Sequence, residues 1–189
     1  SLFEPRLSSP SRSNPYYNRS LNAYSQSGYG MPNCTAYAYG RIYEITDEAP
    51  KISSGNAGSW WFSNKRNQYY EYGQEPKLGA IACWSGHVAV VEEINGNTVT
   101  ISQSHWGRRY FDTTTYSNPK TKFRQTFYGY IYASDSVFEA EEEPVEYRYT
   151  SETSEFEIVR ISPFDENGLA AEITQPLLMN SHMITNAII

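Results

Sequence analysis

Residues 33–41 of this chain read NCTAYAYGR, and this stretch says most about its fold and its chemistry. A loop that contains Gly and Pro, at residues 28–32, precedes it, and the residues that follow Cys34 favour a helix. We therefore predict a helix over residues 34–44 that begins at a thiol. Because a helix N-terminus carries partial positive charge and free N–H groups, it favours a thiolate. Cys34 is a candidate nucleophile.

His87 is the candidate partner of that thiol. It follows Cys34 by 53 residues and lies in the stretch SGHVAVVE at residues 85–92, which predicts a strand. A histidine within hydrogen-bond reach can take the thiol proton and later donate it to a leaving amine. A cysteine at a helix start and a histidine on a strand thus predict nucleophilic acyl transfer.

The group that orients the histidine is expected after a tight turn. Asn-Gly-Asn at residues 95–97 predicts a hairpin with a returning strand over 98–103. Paired residue numbers that sum to about 192 bring Gln103 and His105 toward the His87 end. Gln103 is the predicted orienter through its amide oxygen, or else a polar strand end. His105 is predicted to be associated with the site, or else a surface residue.

Asn33 and the tryptophans allow two readings each. The Asn33 amide could donate to a developing oxyanion, although a helix N-cap is slightly favoured. Trp106 and Trp60 are predicted to line a substrate groove, with core packing as the alternative. Core packing is favoured for Trp61 and Trp84.

The chain holds only two cysteines, Cys34 and Cys83, which do not form a disulfide framework. A bridge between them would consume the proposed nucleophile. Cys83 lies in the apolar run at residues 80–84 and is expected to be buried and inert. The Cys and His residues lack the paired spacing of a zinc site, and the acidic pair at residues 47–48 lacks EF-hand spacing. No metal or cofactor is expected.

The remaining pattern predicts helices first and antiparallel strands afterwards, which is an α+β arrangement. A second helix is expected from residue 54 or 56 to residue 65. Strands are predicted at residues 80–84, 87–94, 98–103 and 124–132, and in the tail at residues 144–150, 155–161 and 168–173.

Charge divides the 189 residues into two parts. Residues 1–135 hold 13 basic and 10 acidic residues, a net charge of +3, whereas residues 136–189 hold 2 and 11, a net charge of −9. We predict an N-terminal extension at residues 1–14, a catalytic domain at 15–135, and an acidic linker with a small β-rich appendage, or a fragment of a neighbouring domain, at 136–189. No apolar run reaches the ~18–20 residues of a membrane span, and the start lacks a signal-peptide pattern. Neither a membrane nor a nucleic acid is an expected partner.

Taken together, these motifs resemble the CHAP domain, the family of cysteine, histidine-dependent amidohydrolases/peptidases. The similarity covers roughly residues 15–133 in motif order and spacing, and the loop before Cys34 is most similar to bacteriophage lysins and tail-associated cell-wall hydrolases. The matching segments are residues 33–41, 55–57, 76–82, 85–92 and 101–107.

The resemblance implies a papain-like α+β fold, with N-terminal helices packed on an antiparallel sheet or half-barrel. It also implies cleavage of amide bonds in peptidoglycan, with Cys34 as nucleophile and His87 as base. Many members carry a Glu followed two residues later by an Asn, where this chain has Gln103 and His105. A neutral Gln should stabilise an ion pair less than a carboxylate does. The acidic calcium loop of some members is missing before Cys34, so calcium is not implied.

Two functions from different classes follow. The first is a phage-encoded peptidoglycan amidase or endopeptidase that acts at the bacterial cell wall, in a virion or as a released or secreted protein, with other virion or lysin domains as partners. The second is a non-catalytic module of a virion tail that docks on the wall through a CHAP-like fold. The neutral Gln103 and the acidic tail motivate this alternative.

Overall fold

The computed structural model describes residues 3–139, 145–150, 155–161 and 170–178 of the chain. These residues fall into two compact units, Ser1–Glu139 and Ala140–Ile189, and each is described by itself. The three-part division with a boundary after residue 135 stays a prediction.

The first three helices of the first unit begin at asparagine caps. The side chains of Asn14, Asn22 and Asn33 each accept a backbone N–H of the turn that follows, which satisfies an otherwise unpaired donor. The helix predicted over residues 34–44 extends to Thr46, and the second predicted helix begins at Ala57. The helices are α1 (Pro15–Asn18), α2 (Ala23–Gln26), α3 (Cys34–Thr46), α4 (Ala57–Asn67) and α5 (Asp135–Glu139).

Six antiparallel strands form one sheet in the order β1-β6-β2-β3-β4-β5. Strands β2 to β5 follow one another along the sheet, whereas β6 returns to the far side of β2, after an interrupted 3-10 turn at Pro119–Arg124. The α+β prediction is confirmed, and β1 and β5 were not foreseen. The strands are β1 (Tyr72–Gly73), β2 (Ile81–Trp84), β3 (His87–Asn95), β4 (Thr98–Gln103), β5 (Asp112–Tyr116) and β6 (Phe127–Ile131).

The register between β3 and β4 follows the predicted sum of 192 on the side of the site. Val90 pairs with Ser102, and Val91 pairs with Ile101. A bulge between Val91 and Glu93 shifts the pairing by one residue on the side of the turn. The bulge therefore does not disturb the end of β4 that carries the site.

Apolar side chains cover both faces of the sheet. Val88 and Val90 belong to the cluster that packs against α3 and α4, whereas Ala89 and Val91 belong to a second cluster. This division follows from the alternation of side chains along a strand. Trp61 and Trp84 lie in these clusters and are 7% and 0% exposed, so their predicted core positions are confirmed.

A buried ion cluster fixes α3 on β3. The fully buried Glu92 accepts two N–H groups of Arg41, at 2.8 and 2.9 Å, and the hydroxyl of Ser102, at 2.7 Å. The backbone N–H of Arg6 also donates to Glu92, and the Arg6 guanidinium pairs with Glu44. We call Arg6, Arg41, Glu44, Glu92 and Ser102 the Glu92 cluster. It holds the N-terminal segment, α3 and the sheet in one arrangement, which sets where the first residue of α3 lies.

The second unit contributes three antiparallel strands in the order β7-β8-β9. All three strands predicted in the tail are present, with the last one longer than expected. The linker predicted around residues 140–144 lies outside the described residues. None of the helices in the described part of the chain is long and apolar enough to cross a membrane. The strands are β7 (Val145–Thr150), β8 (Glu155–Ile161) and β9 (Ala170–Leu178).

Candidate active site

Cys34 is the first residue of α3, and Asn33 caps that helix. The Asn33 Oδ1 accepts the backbone N–H and the hydroxyl of Thr35, at 3.2 and 3.0 Å, while its Nδ2 donates to the Tyr29 carbonyl. The Asn33 N–H donates to the Ser104 hydroxyl, just beyond β4. The predicted N-cap is confirmed, and the oxyanion role of the Asn33 amide stays a prediction.

The Cys34 thiol lies at the beginning of β3. It is a free thiol and is 8% exposed. Burial raises the pKa of the thiol, and the nearby backbone N–H groups of Val88, Thr35 and Cys34 offset part of that increase. Because Val88 directly follows His87, the thiol lies near the strand end that carries the predicted base.

Cys83 is the second free thiol, and it is fully buried in β2. Its predicted burial is confirmed, and burial alone raises its pKa, which favours the protonated thiol. Cys34 and Cys83 form no bridge.

His87 is held by Gln103. The two side chains lie 2.7 Å apart, from the His87 Nε2 to the Gln103 Oε1, and both are buried. The hydrogen bond that was predicted for an orienting residue is therefore present.

Asp112, on β5, lies directly behind Gln103. The two residues are register partners of β4 and β5, and the Gln103 Nε2 donates to the Asp112 Oδ1 at 2.7 Å. A carboxylate only accepts, so the Gln103 amide must turn its NH2 group to Asp112 and its oxygen to His87. The His87 Nε2 then carries the proton, and its Nδ1 keeps the lone pair that a general base needs.

His105 belongs to this network through Asp112. Its Nε2 lies 3.1 Å from the Asp112 Oδ2, and its ring is parallel to the His87 ring with centroids 5.4 Å apart. Arg109 approaches the same oxygen at 3.4 Å. The structure thus places His105 beside the site, as predicted, but hydrogen-bonded to Asp112.

The pKa of His87 reflects its buried position. Burial lowers it to about 4, while the hydrogen bond to Gln103 and the charge of Asp112 act in the opposite direction and His105 lowers it further. The ring of Phe123, a residue with a φ of 61°, packs edge-on at 4.8 Å. The imidazole is therefore neutral at neutral pH and can accept a proton.

A groove of about 930 Å³ opens at Cys34. None of the described side chains that line it carries a charge, and its polar groups include Asn56, Ser59 and Ser85. Two exposed rings, Tyr29 and Trp106, lie on this groove with centroids 6.3 Å apart. The predicted position of Trp106 in a groove is thus observed.

The prediction that Trp60 lines the groove is wrong. Its side chain is 1% exposed, and its indole N–H donates to the Tyr24 hydroxyl at 2.9 Å. Tyr24 in turn lines the groove. Trp60 therefore supports the groove from the core. The prediction failed because an aromatic residue that is close to a site in sequence can pack in the core as readily as it can bind substrate.

The side of the site beyond Gln103 is charged, in contrast to the uncharged groove at Cys34. A smaller cavity of about 400 Å³ is bordered there by charged side chains, with Gln103 and His105 between them. The charged residues are Arg109, Asp112 and Lys122.

Asp112 is the residue of the site that the sequence interpretation missed. The signal that could have found it is the continuation of the hairpin after β4, because a turn around Gly107 returns a strand along Gln103. Among the described residues, no three His, Cys, Asp or Glu side chains are arranged to hold a metal ion.

In a comparison with models of protein families, residues 24–105 match the model described as the CHAP domain. No curated protein matches the chain, and no solved structure does. The matched segment includes Cys34, His87 and Gln103 and ends before Asp112.

Proposed function

The chain contains a CHAP domain, and on this premise we propose that it is a peptidoglycan hydrolase that cleaves amide bonds of the bacterial cell wall through Cys34 and His87. The family consists in general of cysteine- and histidine-dependent amidohydrolases, which supports a hydrolase. One observation carries the proposal: the chain of hydrogen bonds from Asp112 through Gln103 to His87 leaves the Nδ1 of His87 as the proton acceptor, and the backbone of the next residue, Val88, lies near the thiol.

The first half of the reaction forms a thioester. The His87 Nδ1 takes the proton of the Cys34 thiol while the sulfur attacks the carbonyl carbon of the amide. Backbone N–H groups and the partial positive charge at the start of α3 stabilise the oxyanion. The C–N bond then breaks, and the imidazolium of His87 gives its proton to the leaving amine.

The second half regenerates the thiol. Water attacks the thioester carbonyl while the neutral His87 takes one of its protons. The C–S bond breaks, a carboxylic acid leaves, and the proton returns to the Cys34 sulfur. Both halves use the imidazole alternately as base and acid, so both need it neutral at the start.

The groove fits an uncharged, amphipathic part of the wall polymer. Aromatic rings such as those of Tyr29 and Trp106 offer flat apolar faces, and a sugar ring presents a C–H face that can stack on them. Side-chain hydroxyl and amide groups in the groove can bind sugar hydroxyls and peptide amides. The proposed substrate is therefore the polymer, at the amide that joins glycan and peptide or within the peptide.

The substrate sets the place of action. We propose that the protein works at the bacterial cell wall, as part of a phage virion or as a released or secreted lysin. Other virion or lysin domains are then its expected partners.

Release of soluble fragments from purified peptidoglycan tests the proposal. Cys34→Ala is expected to reduce the initial rate by at least about a thousandfold, because no other group can form the thioester. Cys83→Ala is the matched control, since it removes the other buried thiol, which lies on β2 and does not line the groove at Cys34, and its folded protein should keep hydrolysing.

Equal release by Cys34→Ala and the unmutated protein would contradict a Cys34-dependent hydrolase. Binding to the wall without any release by the unmutated protein would favour the non-catalytic wall-binding module instead.

A further inference from the structure

We propose that Asp112 is a positioning residue for the reaction: its carboxylate, acting through the Gln103 amide, supplies the negative charge that stabilises the protonated His87. The inference rests on the proposed function, because it assigns a role within that same site. It also answers the question that a neutral Gln103 raises, namely where the charge behind the histidine comes from.

The geometry forms one continuous chain. Both hydrogen bonds, from His87 to Gln103 and from Gln103 to Asp112, measure 2.7 Å between heavy atoms. The short second bond is consistent with a charged acceptor. Because Gln103 is only 3% exposed, water competes little for either end of its amide. A negative charge at Asp112 therefore polarises the amide and makes its oxygen a better acceptor toward His87.

The charge of Asp112 is only weakly neutralised by its other neighbours. The Arg109 side chain is 70% exposed and reaches Asp112 only at 3.4 Å, so solvent screens that pair. The His105 side chain is 30% exposed and shares the same carboxylate oxygen. The Oδ1 atom that faces Gln103 is left to the amide, and the carboxylate itself is 20% exposed.

Positions 103 and 112 together carry one negative charge, that of Asp112. A carboxylate at position 103 would meet the Asp112 oxygen at the distance of the present hydrogen bond, where two like charges repel. The neutral Gln103 avoids this conflict and still holds His87 in one tautomer. The arrangement predicts that the charge can be moved from position 112 to position 103, provided that it is removed from the first.

A charge exchange tests this inference through the rate of peptidoglycan hydrolysis. Asp112→Asn keeps the shape and an acceptor for Gln103 but removes the charge, and it is expected to lower kcat/KM about tenfold through kcat. Gln103→Glu alone is expected to lower it as well, because two carboxylates then face each other. The double variant Gln103→Glu/Asp112→Asn should recover to within about threefold of the unmutated protein. In this variant the new carboxylate at position 103 bonds His87 directly, and the new amide at position 112 donates to that carboxylate.

The rate at which iodoacetamide alkylates Cys34 gives a second reading that needs no peptidoglycan. Asp112→Asn should slow this alkylation about tenfold at neutral pH, and the double variant should restore it, because the thiolate forms only when His87 can hold the proton. Cys83 is fully buried and should not react in the folded protein. Thermal unfolding of each variant identifies losses that come from misfolding.

The outcomes separate this inference from the proposed function. Restoration of alkylation by the double variant supports the role of Asp112 even if peptidoglycan is not the substrate. Hydrolysis that depends on Cys34 but is unchanged in Asp112→Asn would overturn the inference and leave the proposed function intact. A double variant that folds like the unmutated protein yet stays as slow as the single variants would also overturn it.

Discussion

Two neighbouring residues of β4, Ser102 and Gln103, lead to two carboxylates in very different settings. The Ser102 hydroxyl donates to Glu92, which is fully buried and also binds two N–H groups of Arg41. Gln103 donates to Asp112, which is partly exposed and has His105 and the exposed Arg109 as its other polar neighbours. One carboxylate is locked in an ion pair, and the other faces a neutral amide that ends at a histidine.

The difference indicates that Glu92 stabilises the fold, whereas the charge of Asp112 can act on the proposed site. A carboxylate that is fully paired with an arginine holds elements together but has little charge left to act on another group. The charge of Asp112, in contrast, can act through the Gln103 amide on His87. Because side chains alternate along β4, Ser102 joins the Glu92 cluster on the α3 side, and Gln103 contacts His87, the proposed base, on the other side.

A substitution in the Glu92 cluster should lower the stability of the fold more than a substitution beside Asp112 does. Arg41→Met removes the partner of a fully buried carboxylate, so we expect the free energy of unfolding to fall by about 3–5 kcal/mol. Arg109→Met is the matched change beside Asp112 and should cost less than about 1 kcal/mol, because that pair is exposed. Chemical denaturation followed by fluorescence measures both.

The double variant Arg41→Met/Glu92→Met keeps this prediction decisive if Arg41→Met alone does not fold. Replacement of a whole buried pair by apolar groups should regain much of the loss. Equal losses in Arg41→Met and Arg109→Met would break the contrast between the two carboxylates.

The pH dependence of hydrolysis should report the protonation of His87, which is hydrogen-bonded to Gln103 of β4. The base must be neutral to act, and burial lowers the pKa of His87 to about 4. We therefore expect kcat/KM to stay level from pH 7 to about pH 5 and to reach half near pH 4, falling about tenfold for each further pH unit. In an unfolded chain His87 binds its proton near its ordinary pKa of 6.5, so the folded state also loses stability as the pH falls from 6.5 toward 4.

The ionisable groups near His87 are Cys34, His105 and Asp112, so initial rates should be compared in the unmutated protein and in His105→Gln. A half-point at about pH 6 or above in both would mean that His87 is not buried as described, or is not the base.

Some parts of the candidate site could be predicted from the sequence, and others could not. The positions of Cys34 at the start of α3 and of His87 at the start of β3 could be predicted, because a thiol after a Gly/Pro loop and a histidine at a strand start are local patterns. Gln103 followed from the turn at residues 95–97, whose register holds on the side of the site.

Asp112 was missed for a physical reason. It begins a short strand of polar residues, DTTTY, which has no apolar alternation to mark it. Trp60 was misassigned because sequence spacing does not distinguish a groove residue from a core residue, and burial decides between them. The return of β6 to the far side of β2 is likewise a long-range pairing with no local signal.

The rim of the groove should give the smallest effect. Trp106→Ala removes an exposed ring beside Cys34, and we expect KM to rise about threefold to tenfold, the worth of one aromatic contact, with kcat nearly unchanged. Phe62→Ala is the control, since Phe62 is similarly exposed but packs on Tyr128, away from the groove. Initial rates on soluble peptidoglycan fragments give both constants. An equal change in the two variants would argue against the groove as the substrate site.

The most direct test of the central claim is mass spectrometry of the fragments that the protein releases from purified peptidoglycan. Hydrolysis at an amide through Cys34 predicts fragments with a new free amine and a new carboxyl group, produced by the unmutated protein and by Cys83→Ala but not by Cys34→Ala. Fragments cut at glycosidic bonds, or the same fragments from Cys34→Ala, would contradict it.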